Sequence, residues 1–194
     1  MSVVGSYQNE KGSLLLANKQ VFLSPAAAAN NTLKAATNIT ATPQTLTPTT
    51  QPVVPRNITL TLVDTTPSLT SVSAVINGID QNGKPCSETL EFTAAGMQTG
   101  SVAFAKVSSV VVTSVGSFTS GGDETMAIGA GNKHGLPVGI DGKLEEVFKA
   151  LHDNVDEAVG TVDKTYATVT PTSGSGGDHN QEFWYTYKAK LPLS

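Results

Sequence analysis

RNITLTLVDTTPSLTSVSAVINGIDQNGKPCSETLEF, residues 56–92, decides the fold. Ile58, Leu60 and Leu62 alternate with Thr59, Thr61 and Val63, a second alternating run carries Val72 to Ile79, and a third runs from Cys86 to Phe92. Apolar spacing of period two, broken by Asp-Thr-Thr-Pro-Ser and by Gln81-Asn82-Gly83-Lys84, spells a meander of antiparallel strands with one buried face. Downstream, SVAFAKVSSVVVTSV (101–115) carries three valines in succession, as in a strand buried on both faces or changing face at a bulge. With Thr125 to Ile128 added, residues 56–140 hold five or six strands. The expected class is mainly β, an antiparallel β-sandwich or small barrel.

The flanks read differently. Residues 1–55 form an extended N-terminal arm: between Gln20 and Pro55 the only charge is Lys34, and prolines at 43, 48, 52 and 55 forbid a helix and favour extended geometry. The arm carries small apolar clusters, Leu14-Leu15-Leu16, Val21-Phe22-Leu23 and Val53-Val54, which a solvated tail does not need. These are the candidate interface residues, suited to an arm laid across a neighbouring subunit. Residues 141–194 complete the core. Leu144, Val147, Phe148, Leu151 and Val155 trace an amphipathic stripe that predicts a short helix over 143–158, with a strand as the competing reading. Tyr166–Thr170 and Phe183–Tyr187 predict a terminal hairpin.

Composition excludes several functions. The chain has 194 residues, only 14% of them charged, and a net charge of −4. Arg56 is its sole arginine and the lysines are scattered, whereas phosphate backbones require clustered cations, so direct nucleic-acid binding is not expected. Cys86 is the sole cysteine, which excludes an intrachain disulfide and a thiolate metal cluster. The N-terminus lacks a basic leader and its longest apolar run is Leu14 to Ala17, so neither a signal peptide nor a membrane span is expected, and synthesis in a cytoplasm is.

No constellation of catalytic, cofactor-binding or metal-ligating residues stands out. IGAGNKHG (128–135) lacks the spacing and the terminal Lys-Ser/Thr of a phosphate loop and reads as a glycine-tolerant surface loop. Asp80-Gln81-Asn82-Gly83 reads as a hairpin turn rather than a calcium loop. Asp153, Asp156, Glu157 and Asp163 read as a solvated acidic face, and His134, His152 and His179 have no spacing that pairs two of them on a helix. No G-x-S-x-G elbow is present, and Cys86 after Pro85 reads as a packed side chain. Among the aromatics, alternation sets Trp184 opposite Phe183 and Tyr185. The protein is expected not to be an enzyme.

Four segments carry a resemblance: TTQPVVPRNITLTLVD, VSAVINGIDQNGKPCSETLEF, FAKVSSVVVTS and GGDETMAIGAGNKHGLP. Together, over residues 50–137, they resemble a pattern in virion proteins of tailed bacteriophages, of the capsid-decoration (cement) or head-associated type. These are strand and turn motifs, which specify a fold more closely than a role. The resemblance implies a structural protein of the capsid surface that cements neighbouring capsomers through its N-terminal arm, residues 1–55 draped over neighbours, with the major capsid protein and further copies of itself as partners, a trimer above all, and no cofactor. A head-to-tail connector or tail component is the alternative within the virion. A carbohydrate- or receptor-binding adhesin is the alternative outside it, and requires Trp184 and Tyr185 to be exposed.

Overall fold

The computed structural model of the protein describes residues 2–9, 13–23, 25, 27–40, 43–66, 69–116, 124–139, 141–173 and 179–190. Its strands are β1 (Ser2–Asn9), β2 (Ser13–Phe22), β3 (Ala29–Asn38), β4 (Gln44–Leu46), β5 (Arg56–Asp64), β6 (Leu69–Asp80) and β7 (Pro85–Phe92). The second half holds β8 (Gly96–Gly116), β9 (Glu124–Gly135), β10 (Lys143–His152), β11 (Val155–Glu157), β12 (Thr161–Asp163), β13 (Thr168–Thr170) and β14 (Gln181–Lys190). Among the described residues there is no helix, and every strand pairing is antiparallel.

The strands form two sheets. The larger runs β12-β13-β9-β5-β8-β6-β7, with β3 added to β9 and β4 to β8; the smaller runs β1-β2-β14-β10-β11. In the larger sheet the 56–92 meander folds as its alternation predicts. Ile58, Leu60, Leu62, Val72, Ala74, Ile76, Leu90 and Phe92 all point into one core. Residues of β5, β6, β7, β8 and β9 line that one core, so strands of the same sheet cover one another's apolar face. β8 makes this feasible: its first half pairs with β5 (Arg56↔Phe104 to Leu62↔Gly96) and its second with β6 (Ile79↔Lys106 to Leu69↔Gly116), so one long strand serves both leaves. The smaller sheet packs Phe22, Leu144, Val147, Ala150, Phe183, Tyr185 and Tyr187 into a second cluster, closed by Leu136 and Val138 from the segment after β9 and by Ala167 and Val169 at the start of β13.

The arm is built into these sheets. β2 pairs with β14 along its whole length, Ser13↔Lys190 to Phe22↔Gln181. β9 and β8 are longer than their partners and leave stretches of edge bare, which β3 (Lys34↔Ile128, Thr37↔Met126) and β4 (Gln44↔Val112 to Leu46↔Val110) fill. Leu33, Ile39 and Leu46 enter the first core. Pairing in cis satisfies backbone groups that a free arm leaves to water.

Two expectations for the C-terminal segment are corrected. The stretch 143–158 is no helix: it is β10, a two-residue turn with Asp153 and Asn154 at φ 50° and 66°, and β11. The helical stripe has a physical cause in the strand itself. The β10–β14 register slips between Leu144 and Glu146 and again between Val147 and Lys149, and each bulge advances the buried face by three residues instead of two. Leu144, Val147 and Ala150 are therefore all buried, whereas Phe148, which a helix would bury, is 49% exposed. The terminal hairpin does not form either, because β13 pairs with β12 and β9 while β14 pairs with β2 and β10.

The glycine-rich stretch 128–135 is likewise no surface loop. It is the second half of β9, and its glycines sit where other groups approach closely. A Cβ on Gly129 would lie 2.0 Å from the backbone oxygen of Ala29, and one on Gly131 would lie 2.3 Å from Oδ1 of Asn57. That asparagine is itself a joint. β5 slips register against β8 at Asn57 and against β9 between Arg56 and Ile58, and the buried Asn57 amide makes good both ladders, donating to Gly100 O at 2.8 Å and accepting from Lys133 N at 2.9 Å.

Candidate functional site

Alternation along β5 and β9 turns Ile58, Leu60, Leu62, Met126 and Ile128 inward, which sends Thr59, Thr61, Val63, Thr125 and Ala127 to the opposite face. Cross-strand pairing extends this face: Thr61 lies between Met97 and Ala127, Thr59 between Thr99 and Gly129, and Val63 beside Thr125. None of these residues is charged. Met97 and Val63 are 51% and 43% exposed. Ala28–Asn31, at the start of β3, wall one side and leave a shallow groove of about 540 Å³ over Thr61, Val63, Thr125 and Ala127. This uncharged outer face is the candidate contact surface. It was not singled out from sequence, although the unbroken run of Thr and Val at the outward positions of β5 was its signal.

The predicted interface residues of the arm divide. Phe22 is buried at 1% exposure within the chain's own second core, and Leu16 and Val54 pack against that core. Leu14, Leu15 and Val21 are half-buried. Only Leu23 and Val53, 69% and 77% exposed, remain open to a partner.

The junction between the sheets carries the most perturbed groups. His134 is fully buried, its ring stacked on Phe22 at 4.9 Å and tilted against Phe183 at 6.5 Å, and neither ring nitrogen has a hydrogen-bond partner. Burial first and the nearby Arg56 charge second pull its pKa down to about 3, so it is neutral at physiological pH. Arg56 stands opposite it in the ladder, and burial lowers that guanidinium to about 10. Tyr185, also buried, donates to Pro137 O at 2.6 Å and accepts from Asn18 Nδ2 at 2.9 Å, and burial pushes its phenol up. Trp184 lies on the other face of β14, under Lys19 Nζ at 5.2 Å from the ring, with its indole N–H donating to Glu182 at 2.5 Å. The Trp184–Tyr185 pair therefore does not form an exposed aromatic platform. Burial raises the Cys86 thiol to about 11, leaving it protonated and a poor nucleophile at neutral pH.

The turn Asp80-Gln81-Asn82-Gly83 is the expected hairpin, with Asp80 Oδ1 accepting from the backbone N–H groups of Asn82 and Lys84 at 2.8 and 2.9 Å and Gly83 at φ 80°. The histidines, which showed no metal spacing in sequence, are a different matter. The start of β14 lies beside the β10–β11 turn, and this brings His152 and His179 together with ring centroids 4.8 Å apart. Asp153 sits between them, its Oδ2 at 2.5 Å from His179 Nδ1 and its Oδ1 accepting from Asn180 N at 2.8 Å. Hydrogen bonding to Asn180 and His179 lowers the pKa of Asp153. Compared with known proteins, the chain matches no family model, and no curated protein or solved structure proves similar to it.

Proposed function

We propose that the protein is a non-enzymatic structural protein of a virion, which binds the outer surface of a capsid and joins neighbouring capsomers. One observation carries this reading: the uncharged, partly apolar outer face of Thr61, Val63, Met97, Thr125 and Ala127 on the larger sheet. A face without charge carries a small desolvation cost on contact, and charged residues are depleted at the centres of protein interfaces. The arm serves the body chiefly from within. Leu23 and Val53 are the arm positions left for contact with a neighbour.

Co-sedimentation with purified capsids of the virus to which the proposal assigns this chain tests the reading. The intact protein is expected to pellet with the capsids, and Val63→Asp combined with Met97→Glu is expected to abolish pelleting while the thermal midpoint stays unchanged. Failure of the intact protein to pellet would remove the capsid assignment. Pelleting of the double variant as efficiently as the intact protein would remove the face.

A further inference from the structure

We propose that His152, Asp153 and His179 form a binding site for a divalent transition-metal ion of the zinc class. One ligand atom from each residue lies within 4.8 Å of the other two. Bonds of about 2.1 Å to a tetrahedral ion place donors about 3.4 Å apart. The remaining closure falls to side-chain rotation, and the His179 and Asp153 side chains are 53% and 42% exposed and have room for it.

The backbone already does most of the positioning. Asp153 N donates to Asn180 O at 3.0 Å while Asp153 Oδ1 accepts from Asn180 N at 2.8 Å, so the turn after β10 and the residue after His179 are clasped to each other. His152 pairs with Gln181 at the end of the β10–β14 ladder, which fixes its Cα beside the same clasp. Asp153 adopts the left-handed conformation, φ 50°, that such a tight turn demands. The contact of its Oδ2 with His179 Nδ1 holds the two side chains together at the turn. Two donors of the three are imidazoles. This set favours zinc, nickel or copper and disfavours calcium and magnesium, which require oxygen ligands. Three protein ligands leave a position for water or for a group from outside the chain. A bound ion would lock the β10–β11 turn to β14 and raise the stability of the smaller sheet by mass action.

Calorimetric titration of the full-length chain, free of any histidine tag, with zinc chloride and separately with calcium chloride tests this site. One zinc ion per chain is expected, with a higher thermal midpoint in zinc than in EDTA and no comparable response to calcium. His152→Ala and His179→Ala should each weaken zinc binding by about tenfold or more with unchanged circular dichroism. Asp156→Asn, at an exposed carboxylate paired with Lys149 outside the cluster, should leave it unchanged. Absence of zinc binding to the intact chain would overturn the proposal. So would affinity that survives the His152→Ala/His179→Ala double substitution, or calcium bound as tightly as zinc.

Discussion

Phe22, the last residue of β2, stacks on the imidazole of His134 in β9, with ring centroids 4.9 Å apart and planes 25° from parallel. One ring belongs to the smaller sheet and the other to the larger, so this contact ties the N-terminal segment to the body of the sandwich. Truncating Phe22 to Ala should therefore destabilise the isolated chain by about 3 to 5 kcal/mol, the usual cost of removing a buried aromatic. Leu23→Ala, one residue on at 69% exposure, should change stability by less than about 0.5 kcal/mol. Chemical denaturation of both variants checks the contrast. An arm that ordered only on a neighbour would give small effects for both.

Burial of the same imidazole, with the Arg56 charge beside it, makes stability depend on pH. The folded pKa of His134 is about 3 against an ordinary value of 6.5, so below 6.5 the unfolded chain binds a proton that the native chain refuses. Stability is full above the unfolded value and falls by roughly 1.4 kcal/mol per pH unit as pH drops towards the folded value. Denaturation at pH 7 and pH 5 avoids most carboxylate titration and should reveal this slope. His134→Leu should flatten it.

Gly131 and Gly129 supply a third test, because a loop and a strand respond oppositely to alanine. An added methyl at Gly131 would meet the Asn57 amide, and at Gly129 the backbone of Ala29, at 2.3 and 2.0 Å. Each substitution should cost about 1 to 3 kcal/mol through displaced neighbours. Thermal melting that is unchanged or raised would show that this stretch is not packed as a strand.

Tyr185→Phe keeps the ring and deletes the hydroxyl, leaving the Asn18 amide and the Pro137 carbonyl short of a partner. A loss of about 1 to 3 kcal/mol is expected. The substitution should not affect any binding at the surface, since Tyr185 is 0% exposed.

Where sequence and structure agree, the information was local. Strands β5, β6 and β7 announce themselves because inward and outward positions alternate without interruption and because Asp80 and Gly83 encode their own turn. Where they part, the deciding contact lies far along the chain. Lys19 finds Trp184 and Lys34 finds Ile128, partners that no window around residues 1–55 reveals. In β10 the two bulges reproduce a helical spacing of Leu144, Val147 and Ala150, so periodicity alone pointed to the wrong element. The glycines of β9 signalled freedom in sequence but mark close approach in the fold. His152 and His179 became neighbours only through the β10–β14 ladder.

The central claim is that the uncharged outer face of the larger sheet is a contact surface. Co-sedimentation of the intact chain and of the Val63→Asp/Met97→Glu double variant with capsids tests it most directly. The account predicts that the intact chain pellets with the capsids and that the variant, with an unchanged melting temperature, stays in the supernatant. Equal pelleting of the two, or pelleting of neither, would contradict it.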